Sequence, residues 1–273
     1  MADSDKQRYK HQFPPAFSRL YADKDLSWVV PLRVDYIVGV IGFRFAGKSV
    51  ALNYLSEKKG FRIYSLASAV RARADESGIP PTRPNLQDLG DDMRAETEDG
   101  SRLARLALRQ IRLDQLEHNV VTPPVRIAVG GFKHPQELEA FERLTRFRAI
   151  RLHAPLPLRY ERARRSGLLR RELSEISPTR TPSMKSFRGL IDGRDRHGAP
   201  GRSWASGYEQ AVDAVMATAT APVDIRNAPV RRPTRSDADK DEDLISFYEQ
   251  IDRAVERIER DLVGRASASL YAG

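Results

Sequence analysis

Short, nearly continuous apolar runs alternate along this chain with stretches in which apolar residues recur every three or four positions. Val34 to Ile41 is apolar at almost every position, the pattern of a strand buried on both faces. Gly42 to Gly47 reads as a loop. Val50, Ala51, Leu52, Tyr54 and Leu55 then mark a helix over 49–59, stopped by Gly60. The alternation continues with a strand at 61–65, a helix at 66–76 and a loop punctuated by Pro80, Pro81 and Pro84. Helices over 86–94 and 101–117, a strand at 125–129 closed by Gly130-Gly131, a helix at 135–144 and a strand at 147–152 come next. A helix rich in arginine covers 158–169. A polar region, 174–204, contains one short helix near 184–191, and a helix at 207–217 and a strand at 223–226 complete the series. Repeated strand–helix units predict an α/β fold with a parallel five-stranded sheet between two helical layers.

The same pattern divides the chain. Residues 1–33 have no clean period and read as an N-terminal extension. Residues 34–229 form the main domain, and 230–243 read as a linker, broken by Pro233 and carrying an acidic run from Asp237 to Asp243. Over 244–264, Leu244, Phe247, Tyr248, Ile251, Val255, Ile258 and Leu262 fall at three- and four-residue spacing. This C-terminal amphipathic helix either docks on its own domain or joins a homodimer.

Composition narrows the function classes. The 273 residues include no cysteine, which excludes a disulfide scaffold, a thiolate metal site and a cysteine nucleophile. The longest apolar run, Tyr36–Phe43, is far shorter than the ~20 residues a bilayer crossing needs, and the start of the chain is polar without an apolar core. No membrane partner and a cytoplasmic location are expected. Lysine and arginine number 46 against 37 acidic residues, giving a net charge of +9. Most of the cations are arginine and they are spread along the chain. That charge suits anionic ligands, with nucleic acid as one possible partner.

The most specific motif is Gly42-Phe43-Arg44-Phe45-Ala46-Gly47-Lys48-Ser49. It fits G-x-x-x-x-G-K-[ST] and lies between an apolar strand and a helix, as that motif requires. Glycines let backbone N–H groups curl around phosphate oxygens, and the helix N-terminus adds its positive end. Lys48 is expected on the β- and γ-phosphates of ATP, and Ser49 on Mg²⁺. No N-K-x-D guanine-reading motif occurs, which argues against a GTPase. The five histidines are scattered without ligand spacing.

Four stretches in order resemble the P-loop nucleotide kinases of the dephospho-CoA kinase and deoxynucleoside monophosphate kinase type, and also the kinase-like domains joined to phage-defence deoxycytidylate deaminases. They are the loop itself, Tyr64-Ser-Leu-Ala-Ser-Ala-Val-Arg71, Arg83-Pro-Asn-Leu-Gln-Asp-Leu-Gly-Asp-Asp-Met-Arg94, and Gly130-Gly-Phe-Lys-His-Pro-Gln-Glu-Leu138. Asp224-Ile-Arg-Asn227 is similar to the family's strand that ends near the nucleotide base. The resemblance implies a three-layer P-loop NTPase fold with a helical lid over about 159–204. It also implies transfer of the ATP γ-phosphate to a nucleotide or other phosphorylated small-molecule acceptor.

Carried over residue by residue, Arg71, Arg83, Gln87 and Arg94 line the acceptor site, and Asn227 lies by the nucleotide. One or two of the arginines Arg159, Arg162, Arg164 and Arg165 supply lid charge to the transferring phosphoryl group, since at helical spacing all four cannot face one site; Arg159, Arg162 and Arg165 are the first candidates. Phe187 and Asp195 match the lid-end pattern. Two positions depart: Ser68 and Gly130 stand where the family has aspartates, with Asp75, Asp88, Asp91 and Asp92 as nearby substitutes. Those departures keep open a catalytically degenerate nucleotide-sensing module, and the basic charge keeps open a nucleic-acid-associated kinase-like protein.

Overall fold

The computed structural model describes residues 34–117, 125–144, 146–176, 181–191, 212–228 and 237–270. The expected extension 1–33, Asp195 and most of the second half of the expected lid lie outside them. Five strands, β1 (Val34–Gly42), β2 (Arg62–Ser65), β3 (Val125–Gly130), β4 (Phe147–His153) and β5 (Val223–Arg226), form one sheet. Their order is β2-β3-β1-β4-β5, and every pairing is parallel. With helices on both faces this is the three-layer α/β/α fold that the alternation predicts. All strand C-termini emerge on one edge, where open α/β sheets place their ligands.

The helices among the described residues are α1 (Lys48–Lys59), α2 (Leu66–Glu76), α3 (Arg83–Ala95), α4 (Arg102–Glu117), α5 (Pro135–Glu142), α6 (Leu156–Arg165), α7 (Leu168–Ile176), α8 (Met184–Ile191), α9 (Val212–Thr218) and α10 (Asp237–Leu270). The central strand β1 feeds both layers, because successive side chains point to opposite faces. Ile37 and Ile41 enter a core with α2, α4, α5 and α9. Tyr36, Val38 and Val40 enter a second core with α1 and α10. A third, smaller core under α6–α8 contains Ala163, Leu169, Leu173, Phe187 and Leu190, with Phe45 of the loop packed against it.

Three expectations about the elements need correction. The arginine-rich helix is two helices, because Gly167 adopts φ 70°, a left-handed conformation that ends α6 and lets α7 start at Leu168. The residues 237–243, expected as linker, already belong to α10, whose acidic start faces the favourable end of the helix dipole. α10 also runs on to Leu270 rather than stopping near 264.

The apolar stripe of α10 is used within the chain, which removes the basis for a homodimer through that stripe. Phe247, Ile251, Val255, Ile258 and Leu262 are buried against the sheet and α1. The rings of Tyr54 and Tyr248 stack 4.1 Å apart. The Tyr54 hydroxyl donates to Asp252 at 2.9 Å, and Tyr36 donates to Glu259 at 2.6 Å. Among the described residues, no helix is long and apolar enough to cross a membrane.

Candidate functional site

The loop between β1 and α1 is shaped by two glycines with no room for a side chain. Gly42 has φ 150°, and a Cβ there would meet the Leu152 carbonyl at 2.7 Å. Gly47 caps α1 at φ 106°, and a Cβ there would collide with the Asn227 amide. Phe45 also has positive φ, 62°, which is strained for an aromatic residue. The strain is held by the surroundings. The Phe45 ring packs 5.8 Å from that of Phe187, and its carbonyl accepts from Arg162 at 3.1 Å. Lys48 folds back over the loop, donating to the carbonyls of Gly42 at 2.7 Å and Phe43 at 2.8 Å. Ser49 is exposed in the first turn of α1.

The expected lid arginines divide into two kinds. Arg159 is 6% exposed. Its guanidinium lies 4.8 Å over the Phe43 ring, and its Nε donates to the Arg44 carbonyl at 2.7 Å. Arg162 reaches the Phe45 carbonyl and the Asn227 Oδ1, the latter at 2.8 Å. Both therefore hold the outside of the loop. Arg165 is exposed at the end of α6, 3.7 Å from Glu161.

Asn227, expected near a nucleotide base, is buried and has both ends of its amide occupied. Its Nδ2 donates to the Ala46 carbonyl at 2.9 Å, and its Oδ1 accepts from Arg162. Its main-chain N–H bonds the His153 carbonyl at the end of β4, at 2.8 Å.

A pocket of about 270 Å³ opens on the same sheet edge, one strand away from the loop. It brings together Arg71, Gln87 and Arg94, three of the four residues that the resemblance assigns to the acceptor. The side chain of the fourth, Arg83 at the first turn of α3, lies outside the described ones. Lys133 and Arg171 complete the cationic part of the lining, and Val70, Leu86, Leu103 and Leu168 give it an apolar wall. No acidic residue is among the described lining residues.

The sequence reading missed Lys133 and Arg171. Lys133 stands inside the fourth motif, and Arg171 follows Arg170 in a stretch that carries no motif.

Arg94 is 3% exposed and fixed by acids on both sides. Its Nε donates to Glu137 Oε1 at 2.8 Å, and a terminal nitrogen donates to Asp91 at 2.9 Å. Glu137 is fully buried. Its second oxygen accepts from the backbone N–H groups of Lys133 at 2.7 Å and His134 at 3.1 Å. The same carboxylate thus shapes the β3–α5 turn that carries Lys133 and orients Arg94. Burial pushes the Asp91 carboxyl up to about 6 although Arg94 and Lys133 pull the other way, because desolvation of a carboxylate outweighs partly offset attraction.

One of the two departures, Gly130, sits in a tight place. A Cβ on Gly130 would lie 2.7 Å from Leu52 Cδ1, so a side chain there requires the Leu52 side chain to move. Gly131, at φ 94°, brings its backbone against the start of α2. Of the nearby acids, Asp75 and Asp92 are exposed and Asp91 is engaged by Arg94. Among the described residues, no group of three or more His, Asp or Glu is arranged to hold a metal ion.

No protein-family profile matches the chain. Among curated proteins it is similar to a UPF0200 protein of Methanothrix thermoacetophila, 31% identical over 133 residues, which is 48% of this chain and 66% of that protein. A UPF0200 protein of Hyperthermus butylicus is 31% identical over 131 residues, 48% of this chain and 65% of that protein. The match thus spans just under two thirds of the length of these relatives. Among solved structures it is similar to shikimate kinase from Aquifex aeolicus, with TM-score 0.35 and 14% identity over 81% of this chain and 96% of that one. A gluconokinase from Sinorhizobium meliloti gives TM-score 0.36 and 14% identity over 85% and 98%.

Proposed function

We propose that this protein is an ATP-dependent phosphotransferase whose acceptor is a small phosphorylated or otherwise anionic molecule, with a nucleotide as the first candidate. The observation that carries this reading is the cation-lined pocket one strand away from the loop on the ligand-binding edge of the sheet. The loop suits a polyphosphate: Gly42 and Gly47 leave a cradle that a Cβ would fill, and the N-terminus of α1 points into it. Lys48 lies over that cradle on the Gly42 and Phe43 carbonyls and would turn from them to a phosphate oxygen. Ser49 would hold the magnesium ion, which when bound neutralises charge on the β- and γ-phosphates. A single protein hydroxyl suits Mg²⁺, an ion that keeps several waters and shares phosphate oxygens.

The acceptor pocket then orients the incoming anion. Arg71 and Arg171 offer guanidinium forks from α2 and α7, Lys133 a point charge from the β3–α5 turn, and Val70, Leu86 and Leu103 an apolar surface. Positioning of two anions and neutralisation of their mutual repulsion are the main demands of phosphoryl transfer.

The test is a panel of nucleoside and deoxynucleoside monophosphates, dephospho-CoA and short oligonucleotides with labelled ATP and Mg²⁺. One small acceptor should gain phosphate, and Lys48→Ala should lower that rate about a hundredfold or more. A second reading is favoured by Gly130 and Ser68, where the resembled family carries acids: a sensor that binds nucleotide without transferring phosphate. It predicts ATP binding with no labelled product from any acceptor. Product from oligonucleotides alone would favour a nucleic-acid kinase.

A further inference from the structure

The polar contacts behind the loop form a pattern that neither the motif nor the acceptor pocket accounts for. Three consecutive carbonyls of the loop accept bonds from outside it. Arg44 O accepts from Arg159, at 2.7 Å. Phe45 O accepts from Arg162, at 3.1 Å. Ala46 O accepts from Asn227, at 2.9 Å. In a trans peptide the carbonyl of one residue and the N–H of the next point in opposite directions. Pinning the Arg44 and Ala46 carbonyls outward therefore turns the Phe45 and Gly47 N–H groups towards the cradle. The Ala46 N–H closes the turn onto the Phe43 carbonyl at 3.2 Å.

Arg162 joins the set through its fork, with one nitrogen on Phe45 O and the other on Asn227 Oδ1 at 2.8 Å. Asn227 is itself anchored to the sheet by its main-chain bond to His153. The clamp thus links the end of β4, the loop and α6. Through the Gly167 break, α6 continues into α7, which contributes Leu168 and Arg171 to the acceptor pocket.

We propose that Asn227, Arg162 and Arg159 are positioning residues that hold the loop in its anion-binding shape and couple it to the acceptor-side helices, rather than a base reader and two transition-state charges. This rests on the reading of the loop as the nucleotide site. Asn227 is buried, and each end of its amide already holds a bond to the loop or to α6, so its orientation is set by those partners. Two guanidinium groups spent on loop carbonyls, one of them also stacked on Phe43, act on phosphate through the loop.

The test separates geometry from charge. Asn227→Ala removes no charge, and Arg162→Lys keeps the charge but cannot bridge Phe45 O and Asn227 together. With the full chain and MgATP, each variant should bind about tenfold more weakly than wild type, the loss of one well-placed buried hydrogen bond. The double variant should lose no more than either single one, because the two residues serve one clamp. Amide hydrogen exchange of residues 43–47 in the nucleotide-free protein should rise in both variants while α10 stays protected. Wild-type affinity in Asn227→Ala, a multiplicative loss in the double variant, or unchanged loop exchange would overturn the proposal. If wild type binds no MgATP while loop exchange rises in both variants, the nucleotide reading fails and the clamp stands.

Discussion

Glu137 shows how much one side chain decides here. It has no exposed surface, and its two oxygens serve different masters: Arg94 on one side, the Lys133 and His134 N–H groups on the other. Removing one partner of a buried pair leaves an uncompensated charge, which costs about 3–5 kcal/mol. Glu137→Ala should therefore lower unfolding free energy by that amount in a urea titration, with Arg94 left to Asp91 alone. Arg71 belongs to the opposite class. It is exposed and lines the same pocket, so Arg71→Ala should leave the urea midpoint in place. Under the proposed reaction it should raise the acceptor KM about tenfold or more, the loss of one charge-assisted contact to an anion. An acceptor KM unchanged by Arg71→Ala would move the anion elsewhere.

At the scale of elements, α6, α7 and α8 behave as a unit fastened over the loop by one aromatic cluster. Phe187 is fully buried and touches both Phe45 and Tyr160, with ring centroids 5.8 and 5.7 Å away. Phe187→Ala removes the centre of this small core, a change that costs about 3–5 kcal/mol in well-packed cores. Because the core is local, hydrogen exchange should rise in α7 and α8 while β1 and β3 keep their protection.

The central strand was legible from sequence because a parallel strand buried on both faces needs apolar residues at nearly every position, as Val34–Ile41 has. The loop was legible because its chemistry is contiguous. The pocket was only half legible. Arg71, Gln87 and Arg94 sit in two recognisable motifs, whereas Lys133 and Arg171 meet them only through the strand order and the fold-back of α7. The contacts of Asn227 with Ala46 and Arg162 depend on where β5 ends relative to the loop, which no local pattern records. The break at Gly167 was hidden because the arginines on both sides continue the same polar texture.

For the molecule as a whole, the sheet is stable only if both faces are covered, and α10 supplies half of one cover from the far end of the chain. Polar ties across the molecule are pH-dependent in different directions, one of them holding α10. Tyr54 is raised to about 12, by burial first and then by its bond to Asp252. A raised group stabilises below its unfolded pKa, near 10, and loses that contribution as pH climbs through about 12. Asp224 is lowered to about 2, chiefly by its bond to Arg151, and Asp99 to about 2 by hydrogen bonds to Ser101 and Arg105 that outweigh burial. These two stabilise above the ordinary carboxylate range and fade as pH falls from about 4 towards 2. Both are substantially exposed, so their share is small. Asp91 runs the other way. Its folded carboxyl titrates near 6, above the ~3.9 of the unfolded chain, so the folded state binds more protons between those values and stability declines as pH rises from about 4 to 6. The native protein should therefore show a shoulder on the acid side of its stability profile. In Asp91→Asn, which keeps the side-chain size and removes the titration, urea midpoints measured from pH 4 to 8 should lose the decline between 4 and 6. The fall below pH 4, set by Asp99 and Asp224, should remain. A decline of the same slope in the variant would place the responsible proton on another group.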